Sequence, residues 1–182
     1  MARPPLSLVV IAALFAVAMV WLVAASSRPR AVPTFSPDTG PMRAGSAVDT
    51  VTIDARDPQR WRYFSVARGP LVPPDSAGWD LAFRRFRMMP AGDATRIDTV
   101  TFDELRDIPS SGYQATVFGR DSVNPAIERW YRYDWFSHLL RPKPEVYVIR
   151  TGTGQVVKLE VLSYYCPGPE PGCVTVRFAS LP

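Results

Sequence analysis

The sequence predicts a mainly β protein, in which one antiparallel all-β domain follows a single-span N-terminal transmembrane helix and an extended linker. Three observations carry that prediction. Leu6 to Ala25 is an unbroken apolar run with one hydroxyl, Ser7, and no charge. A helix of that length rises about 30 Å, the thickness of a bilayer's hydrocarbon core. Ser26 to Ala47 then carries four prolines, two glycines and almost no apolar pattern, which is the composition of an extended tether. From Val48 onward the apolar period becomes two, in β-branched and aromatic runs punctuated by proline and glycine.

The apolar run is longer than the core of a secretory signal, which spans roughly 7 to 15 residues before a small-residue cleavage site. Val23-Ala24-Ala25 offers such a site, but the length favours a retained anchor over residues 1–25. Ala12 and Ala16 give this helix a small-residue face on which other membrane segments can pack. Charge leaves the orientation open, because Arg3 and the amino terminus oppose Arg28, Arg30 and Arg43. The cysteines decide it. Cys166 and Cys173 flank six residues, a disulfide is their natural pairing, and disulfides persist outside the cytoplasm. Residues 26–182 are therefore expected in the periplasm, behind a single pass through the inner membrane. No cysteine sits near the end of the apolar run, so a lipoprotein anchor has no support.

Residues 48–182, about 135 in all, suit one domain with a real core. The net charge of +4 and pI near 9.3 come almost wholly from arginine, since Lys143 and Lys158 are the only lysines. These arginines are scattered among acids, and an extracytoplasmic domain has little access to nucleic acid, so that partner is rejected. Arginine also suits carboxylate pairing at protein interfaces and anionic lipid headgroups.

Along the domain, Val48 to Ile53 and Trp61 to Val66 read as strands separated by the Asp57-Pro58 break. Arg68 to Gly78 holds Pro70, Pro73 and Pro74 and reads as a loop. Trp79 to Phe83 alternates with Trp79, Leu81 and Phe83 on the core face, and Thr95 to Phe102 is a further strand. Asp103 to Asp107 suits one helical turn and Pro109 to Gly112 a reverse turn. Asn124 caps a short turn over 125–129 with Pro125 in its first position, and a strand follows from Trp130. Val146 to Arg150, the turn Thr151 to Gly154, and Gln155 to Tyr165 form a hairpin. In its second strand Val157, Leu159 and Val161 fill the core face, while Lys158 and Glu160 stand opposite. Beyond the loop Pro167 to Gly172, Val174, Val176 and Phe178 complete a three-stranded C-terminal meander.

Trp79-Asp80-Leu81-Ala82-Phe83, Trp130-Tyr131-Arg132-Tyr133, Val146 to Thr151, Lys158-Leu159 and Ser163-Tyr164-Tyr165 occur in an order that resembles the HmuY family. The resemblance covers roughly Val48 to Phe178. It implies a compact all-β domain of a secreted or surface-anchored protein, and the best-known members are haem-binding haemophores. Members that bind haem are similar in using a pair of axial side chains, histidines in some and methionines in others. Here His138 is the only histidine, so a bis-histidine pair within one chain is impossible. Met88 and Met89 are the soft alternatives, although adjacent methionines after an aromatic strand suit core filling equally.

Other chemistry is scarce. Cys166 and Cys173 have no histidine near them in sequence, so zinc is disfavoured, and Thr151 to Gly154 lacks the lysine and helix of a phosphate loop. No nucleophile signature surrounds any serine, and Asp80, Asp103 and Glu104 suit strand edges and turns. Catalysis and a resident cofactor or metal are not expected, with haem as the alternative. In the cluster Arg84, Arg85 and Arg87, alternation along a strand sets Arg85 and Arg87 opposite Arg84. Pairing with nearby acids is their ordinary use, and docking on a carboxylate-rich partner the sharper one. Large energy-converting assemblies, respiratory or photosynthetic, commonly carry single-span accessory subunits. By that analogy the expected partner is an integral membrane protein complex, with lipid around the helix.

Overall fold

The computed structural model describes residues 5–26, 31–38, 48–71, 78–119 and 121–182. Pro73, Pro74 and much of the expected tether, residues 27–30 and 39–47, lie outside the described residues. Helix α1 (Leu6–Ser26) contains neither proline nor glycine, and the Pro5 carbonyl accepts the Leu8 and Val9 amides at its start (2.9 and 3.4 Å). It is apolar on every side, with a mean hydropathy of 2.9 over Leu6–Ala25, so it is long and apolar enough to cross a membrane. A signal sequence would meet the same description. Ala16 and Ala24 lie with Val17, Val20 and Trp21 along one shallow apolar groove of this helix. The helix and residues 134–139 belong to one compact unit, and residues 32–133 with 140–182 form a second.

The second unit is built from antiparallel strands. A six-stranded sheet has the order β1 (Asp49–Asp54), β12 (Glu170–Ser180), β11 (Val156–Cys166), β10 (Val146–Arg150), β6 (Asp93–Ile97), β7 (Gln114–Ala115). A four-stranded sheet has the order β3 (Gly69–Leu71), β2 (Arg62–Ser65), β4 (Leu81–Arg84), β5 (Arg87–Pro90). The strands β8 (Tyr131–Asp134) and β9 (Leu139–Pro142) pair as a separate hairpin.

Cross-strand register puts Val176 beside both Val51 and Val161, and Phe178 beside Leu159, on one face of the large sheet. That face meets the smaller sheet, where the Phe64 ring packs edge-on against Phe178 at 5.5 Å. The opposite face carries a second apolar cluster, in which Phe102 and Leu105 cover Val146, Val148, Ala179 and Leu181. Phe102 reaches it from a single turn at 101–105, where the Thr101 carbonyl accepts the Glu104 and Leu105 amides (3.2 and 3.1 Å). The expected helical turn thus starts two residues early, and the expected strand Thr95–Phe102 ends at Ile97.

This second cover changes the role of Lys158. Alternation puts it on the face opposite Val157 and Leu159, as expected, but that face is buried too, and Lys158 is 6% exposed. Its ammonium donates to the Phe102 and Leu105 carbonyls (2.6 and 2.7 Å) and lies 4.6 Å from the Phe102 ring centroid. The lysine therefore pins the 101–105 turn onto the sheet.

The segment 32–38, part of the expected linker, also lies on the domain. Thr34 forms a parallel bridge to Tyr165, whose carbonyl accepts the Phe35 amide (3.0 Å), and the Ser163 hydroxyl donates to the Pro33 carbonyl. At the other end, Thr52 and Asp38 exchange two hydrogen bonds: Asp38 N–H to the Thr52 carbonyl (2.9 Å) and Thr52 N–H to Asp38 Oδ2 (2.7 Å). Since β12 separates β11 from β1, the segment crosses β12.

Two further elements depart from the period-two reading. The strand expected from Trp79 begins at Leu81, because Asp80 is buried as a turn anchor, its Oδ2 accepting the Val66 amide at 2.8 Å. Pro70 sits within β3 rather than in a loop, which an edge strand tolerates because no neighbour needs its missing N–H. The C-terminal hairpin and meander match the sequence reading closely, and the Asn124 cap is present, with Oδ1 accepting the Ala126 amide at 3.1 Å.

Cys166 and Cys173 are bonded (S–S 2.00 Å) across the turn between β11 and β12. The chain-entropy model credits a loop of this size with about 2.5 kcal/mol. Detergent-solubilised full-length protein carrying Cys166→Ser and Cys173→Ser is expected to lose about that much unfolding free energy, read from its denaturant midpoint; an unchanged midpoint contradicts this. Lys158→Met leaves two buried carbonyls without their donor and is expected to lower stability by about 1–3 kcal/mol. Burial, reinforced by Arg106, depresses the pKa of Lys158, so the folded chain releases this proton before the unfolded chain does. Stability gained from that group should then rise as pH climbs towards its ordinary value of 10.5, and the gap between wild type and Lys158→Met should widen in parallel. A gap that narrows over that interval contradicts the assignment.

Candidate functional site

The candidate ligand-binding site is a cavity of about 440 Å³ beside β5, lined by Phe86, Arg87, Met88, Asp121, Glu128 and Tyr131 among others. Its floor and walls follow from a two-residue turn. Arg84 and Arg87 are cross-strand partners, which leaves Arg85 and Phe86 as the turn, and Arg85 takes φ 54° to close it. The Phe86 carbonyl accepts the Trp130 indole N–H at 2.8 Å, and the Phe86 ring meets Tyr131 edge-on at 5.7 Å. That ties the start of the β8–β9 hairpin to the β4–β5 turn. Met88 is buried at the cavity, while Met89, its neighbour along the strand, is buried on the opposite side.

The turn also corrects the reading of the arginines. Period two fails at a turn, so Arg84 and Arg87 share a side and both face Asp121 (3.9 and 2.8 Å). Arg84 lies in addition over the Trp61 ring at 4.6 Å. Arg85 turns away and donates to the Arg56 and Pro171 carbonyls (3.2 and 3.4 Å). Arg87 is the member of the cluster that lines the cavity, with Asp121, 70% exposed, as its counter-charge. No signal local to Arg87 in the sequence points to Asp121, which lies 34 residues away.

His138 occupies the turn of the β8–β9 hairpin at φ 55°, exposed, and is not among the residues lining the cavity. Ala12 and Ala16 are on α1. Among the described residues no cluster of three or more histidine, cysteine or acidic side chains suits a metal ion. The acids singled out in the sequence serve structure. Asp103 pairs with Arg177 at 3.6 Å, and Glu104 accepts both the amide and the hydroxyl of Thr101 (2.9 and 2.8 Å), bonds that hold its carboxyl below the usual range. The cavity can thus take an apolar body against Phe86, Met88 and Tyr131, and one anionic group at Arg87 if Asp121 gives way.

Among solved structures, an apo HmuY analog of Tannerella forsythia superposes with a TM-score of 0.62 over 74% of this chain and 96% of its own, at 16% identity. The domain has the HmuY-like fold. A Bacteroides vulgatus protein classed as HmuY-like and heme-binding gives 0.62 over 76% and 94% at 17% identity. A Bacteroides fragilis protein classed as a lipoprotein gives 0.61 over 76% and 92% at 18%. No protein-family model matches the chain, and comparison with curated proteins finds no match. The likeness establishes the architecture expected from the sequence, and side chains must decide what this HmuY-like domain holds.

Among the described residues no histidine lines the cavity. Met88 is its one soft donor, and its polar side chains are Arg87, Arg129, Asp121, Ser122, Glu128 and Tyr131, so a histidine-ligated or bis-methionine haem does not fit it. Titration with haem is therefore expected to give no sharp low-spin spectrum; such a spectrum, lost in Met88→Ala or His138→Ala, contradicts this.

Proposed function

We propose that this chain is a non-catalytic, membrane-anchored accessory subunit whose HmuY-like domain braces or docks on the periplasmic face of a larger integral membrane protein complex in the inner membrane. The observation that carries the reading is the attachment of the domain to α1. Residues 33–38 are bonded to β11 and β1, and six peptide steps of sequence separate Val32 from Ser26 at the end of α1. Six peptide steps reach at most about 20 Å. On this reading the anchor keeps the domain within reach of the membrane, where a docking subunit works. The bonded cysteines support a periplasmic placement. A respiratory or photosynthetic energy-converting complex is the setting proposed, by analogy with the single-span subunits such assemblies carry.

A second reading is a membrane-anchored haem or tetrapyrrole-binding protein, favoured by the heme-binding description of one structural neighbour. Its burden is the ligand set described above.

A chain lacking residues 1–31 retains the bonded segment 32–38 and is expected to be folded and soluble. In cells it should leave the membrane fraction and lose the integral membrane proteins that co-purify with the full chain after gentle solubilisation. A membrane complex that assembles with unchanged yield and stability in the absence of this chain defeats the subunit reading.

A further inference from the structure

The β8–β9 hairpin ends in Trp135 and Phe136, whose exposures of 79% and 84% are the highest of any large apolar side chain outside α1 among the described residues. The tip is built to hold them out. Asp134 Oδ1 accepts the Phe136 and Ser137 amides (3.1 and 3.3 Å), and His138 takes φ 55° to return the chain into β9. The hairpin's base is fixed as well, since the Leu140 amide donates to the Tyr165 hydroxyl at 2.7 Å and the Trp130 indole to the Phe86 carbonyl. A rigid turn that displays adjacent tryptophan and phenylalanine is costly in water, because each ring keeps a large apolar area hydrated.

The geometry points to insertion of this tip into the headgroup and upper acyl region of the bilayer that α1 crosses, an inference that rests on the anchor reading above. Three features select lipid as the occupant. Residues 134–139 belong to the same compact unit as the apolar helix. Tyr165, whose hydroxyl receives the Leu140 amide, is also the residue bridged by Thr34, so the hairpin is rooted beside the segment that follows α1 in sequence. Exposed Arg132 on β8 and half-buried Arg141 on β9 flank the tip, against the single acid Asp134. Tryptophan at the interface with arginine behind it is the side-chain order a membrane surface with anionic lipids favours. The hairpin would then act as a second contact with the bilayer.

The full chain, reconstituted in phosphatidylcholine–phosphatidylglycerol vesicles whose acyl chains carry bromine near the carbonyl end, tests this through tryptophan quenching. Trp21 reports on α1, and its contribution is the difference between wild type and Trp21→Phe. In the Trp21→Phe background the remaining shallow quenching is expected to vanish with Trp135→Phe. It should fall with Phe136→Ser and weaken when phosphatidylglycerol is omitted, whereas Phe118→Ser, which removes another exposed ring, should leave it unchanged. Quenching of Trp21 with no component from Trp135 overturns the hairpin inference and leaves the anchor standing. Absence of quenching from both removes the anchor reading and the hairpin inference together. No partner protein is present in these vesicles, so a tip that meets lipid only when a complex is added also overturns it.

Discussion

The antiparallel pairing of β11 with β12 is the constraint on which the rest of the domain depends. These strands run from Val156 to Cys166 and from Glu170 to Ser180, and the disulfide closes the turn between them. β10 pairs with one side and β1 with the other, so the six-stranded sheet grows outward from this ribbon. Phe178 then receives the smaller sheet through Phe64, Lys158 holds the 101–105 turn, and Ser163 and Tyr165 hold the segment after the helix. Loss of its register would move each of these side chains to the wrong face.

A ribbon covered on both faces must satisfy the polar side chains of its second face internally. Thr52 and Thr175 do so by pairing with each other at 3.1 Å, Arg177 by reaching Glu160 at 2.6 Å, and Lys158 by donating to backbone carbonyls. The charges that would mark a solvent face are thereby absorbed into structure. Among the described residues the exposed apolar side chains gather mainly in the helix, the aromatic hairpin tip and Val117 with Phe118.

That segregation bears on function more directly than the fold does. An HmuY-like sheet arrangement is compatible with more than one role, and the role follows from what its loops present. This chain has one histidine in its whole sequence.

The sequence by itself determined the apolar span, the β class, the C-terminal meander and the cysteine pairing, because each rests on local periodicity or spacing between near neighbours. Val157 to Val161 alternates apolar with charged residues, Val146 to Ile149 is a β-branched and aromatic run, and the glycines at 152 and 154 mark the turn between them, so that hairpin was legible in the sequence. Tertiary structure alone decided that Lys158 is buried, that Arg84 and Arg87 converge on Asp121 while Arg85 departs, that Pro70 lies in an edge strand, and that residues 32–38 bind the sheet. The physical reason is common to all four. Period two reports that a strand has two faces and says nothing of what later covers the second, and it fails wherever a positive φ turns the chain, as at Arg85. Partners such as Phe102 for Lys158, or Asp121 for Arg87, come from segments far apart in sequence and meet only when the sheet has formed.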